Sequence, residues 1–318
     1  MKIAVVHAIP TISSAYGQDF DGFSAAMDVI AQKHEVEWIN VHPYNSDAAV
    51  QRASIGKTDA DFVLVRSDWG WYPDALAASA LARTNASCGL LIAGSSQPQS
   101  LRQSLRYDVL FYETPWYAQF VRQHPFALQG IGVDTRVMHD THQPRDIDWL
   151  FVGRLADFKR PERLLDKAGT RVIVGDLSSA DEARRQPFTD AGITLVDHVT
   201  QAELATLYSR SKSVLVPCVL QGGGERAVLE GRACGCDVEI ADDNPKLASL
   251  LDIPVATHED YAAILLDGIT QVVQGRRTTH RQKLEGEAAR RAWVWRNKLR
   301  RAPQTVRIRW TNWRRARA

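Results

Sequence analysis

Short apolar runs recur along the chain, each bounded by polar or glycine-containing segments. Residues 2–7, 36–41, 62–66, 89–93 and 109–112 are rich in Val, Ile and Leu. That composition suits strands buried on both faces of a parallel sheet. Between the first two runs, Phe23, Ala26, Met27, Ile30 and Ala31 fall at helical spacing and predict a helix over 23–33. The pattern restarts after the polar segment 143–148. Strands are predicted at 149–152, 171–174, 194–196, 213–216 and 237–240, with helices at 161–168, 201–209 and 225–233. Strands alternating with helices predict an α/β chain of two doubly wound, Rossmann-like domains joined near residue 145. The expected division is 1–143, 144–275 and a tail over 276–318. Ligands of such sheets bind beyond the carboxyl ends of the strands, so two facing domains would form a cleft there.

Composition narrows the class. Of the 318 residues, 45% are apolar and 24% charged, as in ordinary globular proteins. No run approaches the roughly 18 apolar residues of a membrane helix. The opening Met1-Lys2-Ile3 does not read as a signal peptide, so a cytoplasmic location is expected. Cys88, Cys218, Cys234 and Cys236 lack zinc-site spacing and are read as reduced, buried thiols.

Charge is unevenly placed. Residues 276–318 hold 15 Lys or Arg against two acids, Glu285 and Glu287, leaving 24 basic and 35 acidic residues before them. Ala288, Ala292, Trp295, Leu299 and Ala302 form one helical face, and arginines cover much of the rest. An amphipathic basic segment with Trp suits an anionic membrane surface, and the same chemistry suits nucleic acid. The alternative is a terminal helix that packs back on the first domain with a solvated basic face.

Two segments carry candidate chemistry. In the first, Gly153 ends a strand and is followed by Arg154 and Lys159, two cations able to converge on one diphosphate. In the second, Gln221-Gly222-Gly223-Gly224-Glu225 opens a predicted helix that continues to Glu230. Free backbone N–H groups at such a start bind anions, and Glu230 can accept hydrogen bonds from a ribose diol.

Together these segments resemble glycosyltransferase family 4, the retaining GT-B enzymes. Residues 151–155 with Lys159 look like "VGRL…K", and residues 228–235 like "LLEAMACG". Residues 130–135 look like "NGVD", 174–176 like "GxG", 198–208 like "GxVSxEELxxLY" and 34–36 like "GHEV". The resemblance implies a GT-B fold and a nucleoside diphosphate sugar donor, with no further cofactor. It implies that Arg154 and Lys159 hold the diphosphate, that Glu230 holds the ribose, and that His198 and Val199 frame the base. Gly222, Gly223, Gly224 and Glu225 would surround the sugar and pyrophosphate. The expected catalytic groups are Arg154, Lys159 and Glu225, and the expected acceptor is a cell-envelope glycan or glycolipid. One departure stands out. The family's acid eight residues before the Glu matched by Glu230 falls here on Gly222, or on Gln221 when counted forward from Pro217, which leaves either Glu225 or the backbone amides to replace it.

Three Asp-x-Asp triplets, beginning at Asp19, Asp59 and Asp146, lack the strand context of a metal–diphosphate site, so no metal is expected. On the acceptor side the candidates are Gly17, Asp19 and Asp21 in the loop after the first strand, and Trp69 in an aromatic segment after the third. Glu113 follows the fifth strand and is also cleft-side by topology.

Overall fold

Alternating apolar side chains build two parallel sheets. The computed structural model describes residues 1–7, 21–40, 55, 57–66, 86–93, 107–178, 180–275, 292 and 295. The first sheet contains β1 (Lys2–His7), β2 (Glu35–Asn40), β3 (Phe62–Arg66), β4 (Ser87–Ile92), β5 (Val109–Tyr112) and β6 (Ala127–Gln129), in the order β2-β1-β3-β4-β5-β6. Helix α1 (Gly22–Ala31) follows β1, and a short α2 (Ala118–Val121) precedes β6. Successive side chains point to opposite faces. Ile3, Val5, Phe62 and Leu64 pack with Phe23, Met27 and Ile30 of α1. Ala4, Val6, Val63, Val65 and Leu90 form the core of the other face.

The second sheet contains β7 (Ile147–Val152), β8 (Arg171–Val174), β9 (Thr194–Val196), β10 (Ser211–Val216) and β11 (Asp237–Ile240), in the order β11-β10-β7-β8-β9. Its helices are α3 (Glu182–Asp190), α4 (Gln201–Ser209), α5 (Glu225–Ala233) and α6 (Pro245–Ala248). Leu150, Val172, Val174 and Val214 bury on one face, and Phe151, Ile173 and Leu215 on the other.

A further helix, α7 (His258–Val273), follows the second sheet in sequence but packs on the first. Tyr261, Leu265, Ile269 and Val272 share a core with Ile3, Phe23 and Phe111. A capping box between Thr257 and Asp260 starts the helix. Val133 pairs with Thr257 in a parallel bridge, so the chain leaving the first sheet lies beside the chain returning to it. Beside the bridge, buried Asp134 accepts two 2.8 Å bonds from the guanidinium of Arg136 on the same segment.

The structure departs from the sequence reading in places. Instead of a helix over 161–168 there are two 3-10 turns, Asp157–Lys159 and Pro161–Leu164. Arg160 between them is left-handed at φ 52, and the residue before a proline is disfavoured in the right-handed helical region. Strand β6 and helices α2, α3, α6 and α7 lie outside the elements that the apolar pattern predicts. The basic tail falls outside the described residues except Ala292 and Trp295, which are helical and exposed.

Candidate active site

A cavity of about 380 Å3 lies between the carboxyl ends of the two sheets. Its position follows from topology. In the first sheet strand order reverses between β1 and β3; in the second it reverses between β7 and β10. Loops on the two sides of such a switch point diverge and leave a crevice. Asp21 and Arg66 come from the first crevice, and Gly153, Lys159 and Gly223–Glu225 from the second.

The second-sheet wall is built around glycine. A Cβ on Gly175, after β8, would lie 2.6 Å from the Gly153 carbonyl oxygen after β7. The two strand ends therefore approach more closely than side chains allow. The Lys159 stem crosses Gly153, and its Nζ would be 3.5 Å from a Cβ on Gly223. Gly223 and Gly224 have φ of 74 and 105, a region that favours glycine, and Gly224 caps α5. The free N–H groups of the first turn of α5 and the Lys159 ammonium therefore address the same volume. Lys159 has no carboxylate partner among the described residues.

Farther along α5, Glu230 is buried in the wall. It accepts bonds from Arg226 Nε at 3.2 Å and from the Tyr208 hydroxyl at 3.3 Å. Burial pushes its carboxyl above the usual range, although Arg226 and Tyr208 oppose this. Glu225 is also buried, in an ion pair with the equally buried Lys246 of α6.

The first-sheet wall carries Asp21, Phe23, Arg66 and Glu113, with Tyr261 from α7. Asp21 caps α1 by accepting from Ser24 N at 2.8 Å, and it pairs with Arg66 Nη2 at 2.5 Å. Burial favours its neutral form, but Arg66, Arg226 and the Ser24 amide together hold its carboxyl below the ordinary value. Arg66 also lies over the Phe23 ring, 4.7 Å from its centroid.

The sequence candidates are thus partly brought together. Gly153, Lys159, His198, Val199, Gly223, Gly224, Glu225 and Glu230 line the cavity, as do Asp21 and Glu113. Arg154 does not: it is exposed, and its guanidinium lies 5.7 Å from the Phe158 ring centroid. Gly222 stands behind the wall, where a Cβ would come within 2.5 Å of the Phe158 carbonyl oxygen. Gly17, Asp19 and Trp69 lie outside the described residues. The sequence reading gave no role to Arg66, Arg226, Tyr208 or Lys246. Of the Asp-x-Asp triplets, Asp146 and Asp148 flank the start of β7, at the opposite end from the cavity, and bind Arg210 and Lys212. Asp59 binds Lys2. Among the described residues no group of three or more His, Cys, Asp or Glu could hold a metal ion. All four cysteines are buried, and none is joined in a disulfide.

This architecture has solved counterparts. Sucrose-phosphate synthase from Thermosynechococcus elongatus is similar over 98% of this chain and 99% of its own, with a TM-score of 0.58 and 13% identity. Anabaena HepE, in complex with UDP and glucose, is similar over 91% and 94%, with a TM-score of 0.57 and 14% identity. The fold is GT-B. A putative UDP-N-acetylglucosamine 2-epimerase from Listeria monocytogenes shares it, with a TM-score of 0.52 and 12% identity over 93% and 95% of the two chains. No protein-family model matches the chain. In sequence, a 118-residue segment is 30% identical to maintenance of mitochondrial morphology protein 1 of Talaromyces marneffei. That segment spans 36% of this chain and only 23% of that protein's length, too little of either to carry a family. Among the described residues no helix is long and apolar enough to cross a membrane.

Proposed function

We propose that the chain transfers a sugar from a nucleoside diphosphate sugar to an acceptor hydroxyl, with retention. The observation that carries this reading is the convergence of the Lys159 ammonium and the α5 N-terminus on one cavity, with Glu230 about one and a half turns along. A diphosphate at Lys159 and Gly223–Gly224 would place a ribose toward Glu230. The base would lie between Gly175, His198 and Val199. As the glycosidic bond breaks, negative charge grows on the leaving diphosphate, where the ammonium and the helix N-terminus stabilise it. Front-face attack needs no protein nucleophile; the leaving phosphate itself takes the acceptor proton. In this reading Arg154 swings from Phe158 to the outer phosphate.

The acceptor would enter against Asp21, Arg66 and Glu113. We assign it to the glycans or glycolipids of a cell envelope, made at the cytoplasmic face of a membrane, because the basic tail suits an anionic surface. Nucleic acid is the other polyanion the tail would suit.

Ligand-dependent melting tests the reading. Binding to the native state raises the melting temperature. UDP, GDP and their hexose derivatives are the probes, followed by a labelled-sugar transfer assay. No shift with any nucleoside diphosphate would sink the proposal. The GT-B epimerase among the similar structures motivates a second reading: free epimerised sugar nucleotide, formed without acceptor, would replace transfer by epimerisation.

A further inference from the structure

Among the described residues two arginines line the cavity with Lys159: Arg66 on the first-sheet wall and Arg226 on the second. They are held differently. The Arg66 side chain is 12% exposed, bonded to Asp21 at 2.5 Å and stacked over Phe23. The Arg226 side chain is 50% exposed. Among the described residues its one hydrogen bond runs from Nε to Glu230 Oε1, at 3.2 Å. The Nη groups of the guanidinium fork have no partner there. A half-exposed pair four residues apart on a helix adds little stability, so the fold alone gives weak reason for an arginine at this position.

Position gives a stronger one. Arg226 is the second residue of α5, directly after the start at Gly224 and Glu225. Residues four apart share a helix face, so its side chain leaves α5 on the same side as Glu230. The guanidinium also acts across the cavity. Burial favours the neutral form of Asp21 on the opposite wall, and Arg66 and then Arg226 help to reverse this. Arg226 therefore stands in the gap between the walls, with the glycine cradle before it and Glu230 beside it. In the reading above, the cradle takes the diphosphate and Glu230 takes the ribose. The link between those two groups passes the Arg226 Nη groups.

We propose that Arg226 binds the donor directly, its Nη groups holding the diphosphate from the ribose side while Nε stays on Glu230. The proposal rests on the nucleotide-sugar reading above. One planar guanidinium then touches the diphosphate and the ribose acid together, a division of donors that its fork geometry permits and a lysine ammonium does not. As the glycosidic bond breaks, Arg226 joins Lys159 in stabilising the charge released onto the diphosphate.

Titration calorimetry on the full chain tests this with UDP, and in parallel with GDP. The proteins are wild type, Arg226→Met, Glu230→Gln and the double variant. Arg226→Met should weaken the nucleoside diphosphate that binds the wild type by at least fivefold. Glu230→Gln separates direct contact from an effect passed on through the ribose acid. In that background Arg226→Met should again weaken binding at least fivefold, because contact with phosphate does not need the Glu230 carboxylate. The double variant removes both charges of the pair, so comparing it with Glu230→Gln decides the question even if Arg226→Met alone fails to fold. A loss below fivefold in the Glu230→Gln background would overturn the proposal and leave Arg226 as a support for Glu230 alone. Undiminished diphosphate affinity in Arg226→Met, with a raised acceptor KM in the transfer assay, would overturn it in favour of a contact with the acceptor. Failure of both UDP and GDP to bind the wild type would instead bring down the nucleotide-sugar reading itself.

Discussion

Arg66 Nη2 lies 2.5 Å from Asp21 Oδ2, joining the end of β3 to the cap of α1 in the cavity wall. Both side chains are largely buried, so neither charge is well solvated without the other. Arg66→Met should cost about 3–5 kcal/mol in denaturant unfolding, because it takes the paired guanidinium away from a buried carboxylate. Adding Asp21→Asn should recover much of that loss. The sign of the pH dependence follows from the depressed carboxyl of Asp21. Its contribution is complete above the unfolded value of about 3.9 and is lost as pH falls through the lower folded value. A cost below about 1 kcal/mol for Arg66→Met would show that this pair does not hold the wall.

His7 at the end of β1 gives a second pH dependence of different range. Its ring is 3% exposed and meets Trp38 edge-on at 5.0 Å. Burial, then the Arg66 charge, lower its pKa to about 4, although Asp21 opposes them. The unfolded chain takes up this proton near 6.5 and the folded chain does not. Stability is therefore full above about 6.5 and falls as pH drops toward 4, by up to about 3 kcal/mol. His7→Phe keeps a ring against Trp38 and should flatten unfolding free energy over that interval. An unaltered slope in the variant would show that another group titrates.

Lys159 and Arg154 were equivalent in the sequence and are not equivalent in space. Lys159 Nζ is already at Gly223, whereas Arg154 must leave Phe158. Lys159→Ala should weaken UDP or GDP binding by at least tenfold, about 1.4 kcal/mol. Arg154→Ala should weaken it less, and both should melt near wild type without ligand. Equal losses in calorimetry would mean that Arg154 reaches the phosphate at no cost.

Legibility in the sequence tracked how locally each feature is encoded. Strands such as β3 and β10 announce themselves as apolar runs, and the triple glycine marks the start of α5 in the right place. Helix α7 carried a readable signal: Tyr261, Leu265, Ile269 and Val272 recur at helical spacing behind the Thr257–Asp260 box. Which sheet it would cover was not local information. Helix α3 is nearly all polar, buries only Phe188 among its nine residues and contains Pro187, so no apolar stripe betrays it. The site was readable where one segment supplies it, as at Gly153–Lys159 and Gly223–Glu230. It was unreadable where partners are distant: Lys246 meets Glu225 only because α6 folds beneath α5, and Arg66 meets Asp21 across 45 residues.

The tightest backbone contact near the cavity gives a test of how the two halves are joined. A Cβ on Gly22 would fall 1.6 Å from the Gly132 carbonyl oxygen, and one on Gly132 would fall 2.4 Å from that of Thr257. The start of α1, the outgoing crossover and the incoming crossover are thus stacked in three layers, and every atom that a Cβ on Gly22 would clash with is backbone. Gly22→Ala cannot be relieved by rotating a side chain. It should cost about 3 kcal/mol or more, at or above the upper end for overpacking, and by displacing Asp21 it should also reduce the melting shift given by UDP or GDP. Gly192→Ala is the control. Gly192 is left-handed at φ 73 but has nothing within 4 Å of a Cβ, so its cost is conformational, about 1 kcal/mol. That variant should keep the full ligand shift. If Gly22→Ala were no worse than Gly192→Ala, the three layers would have room to part, and the cavity would not depend on their contact.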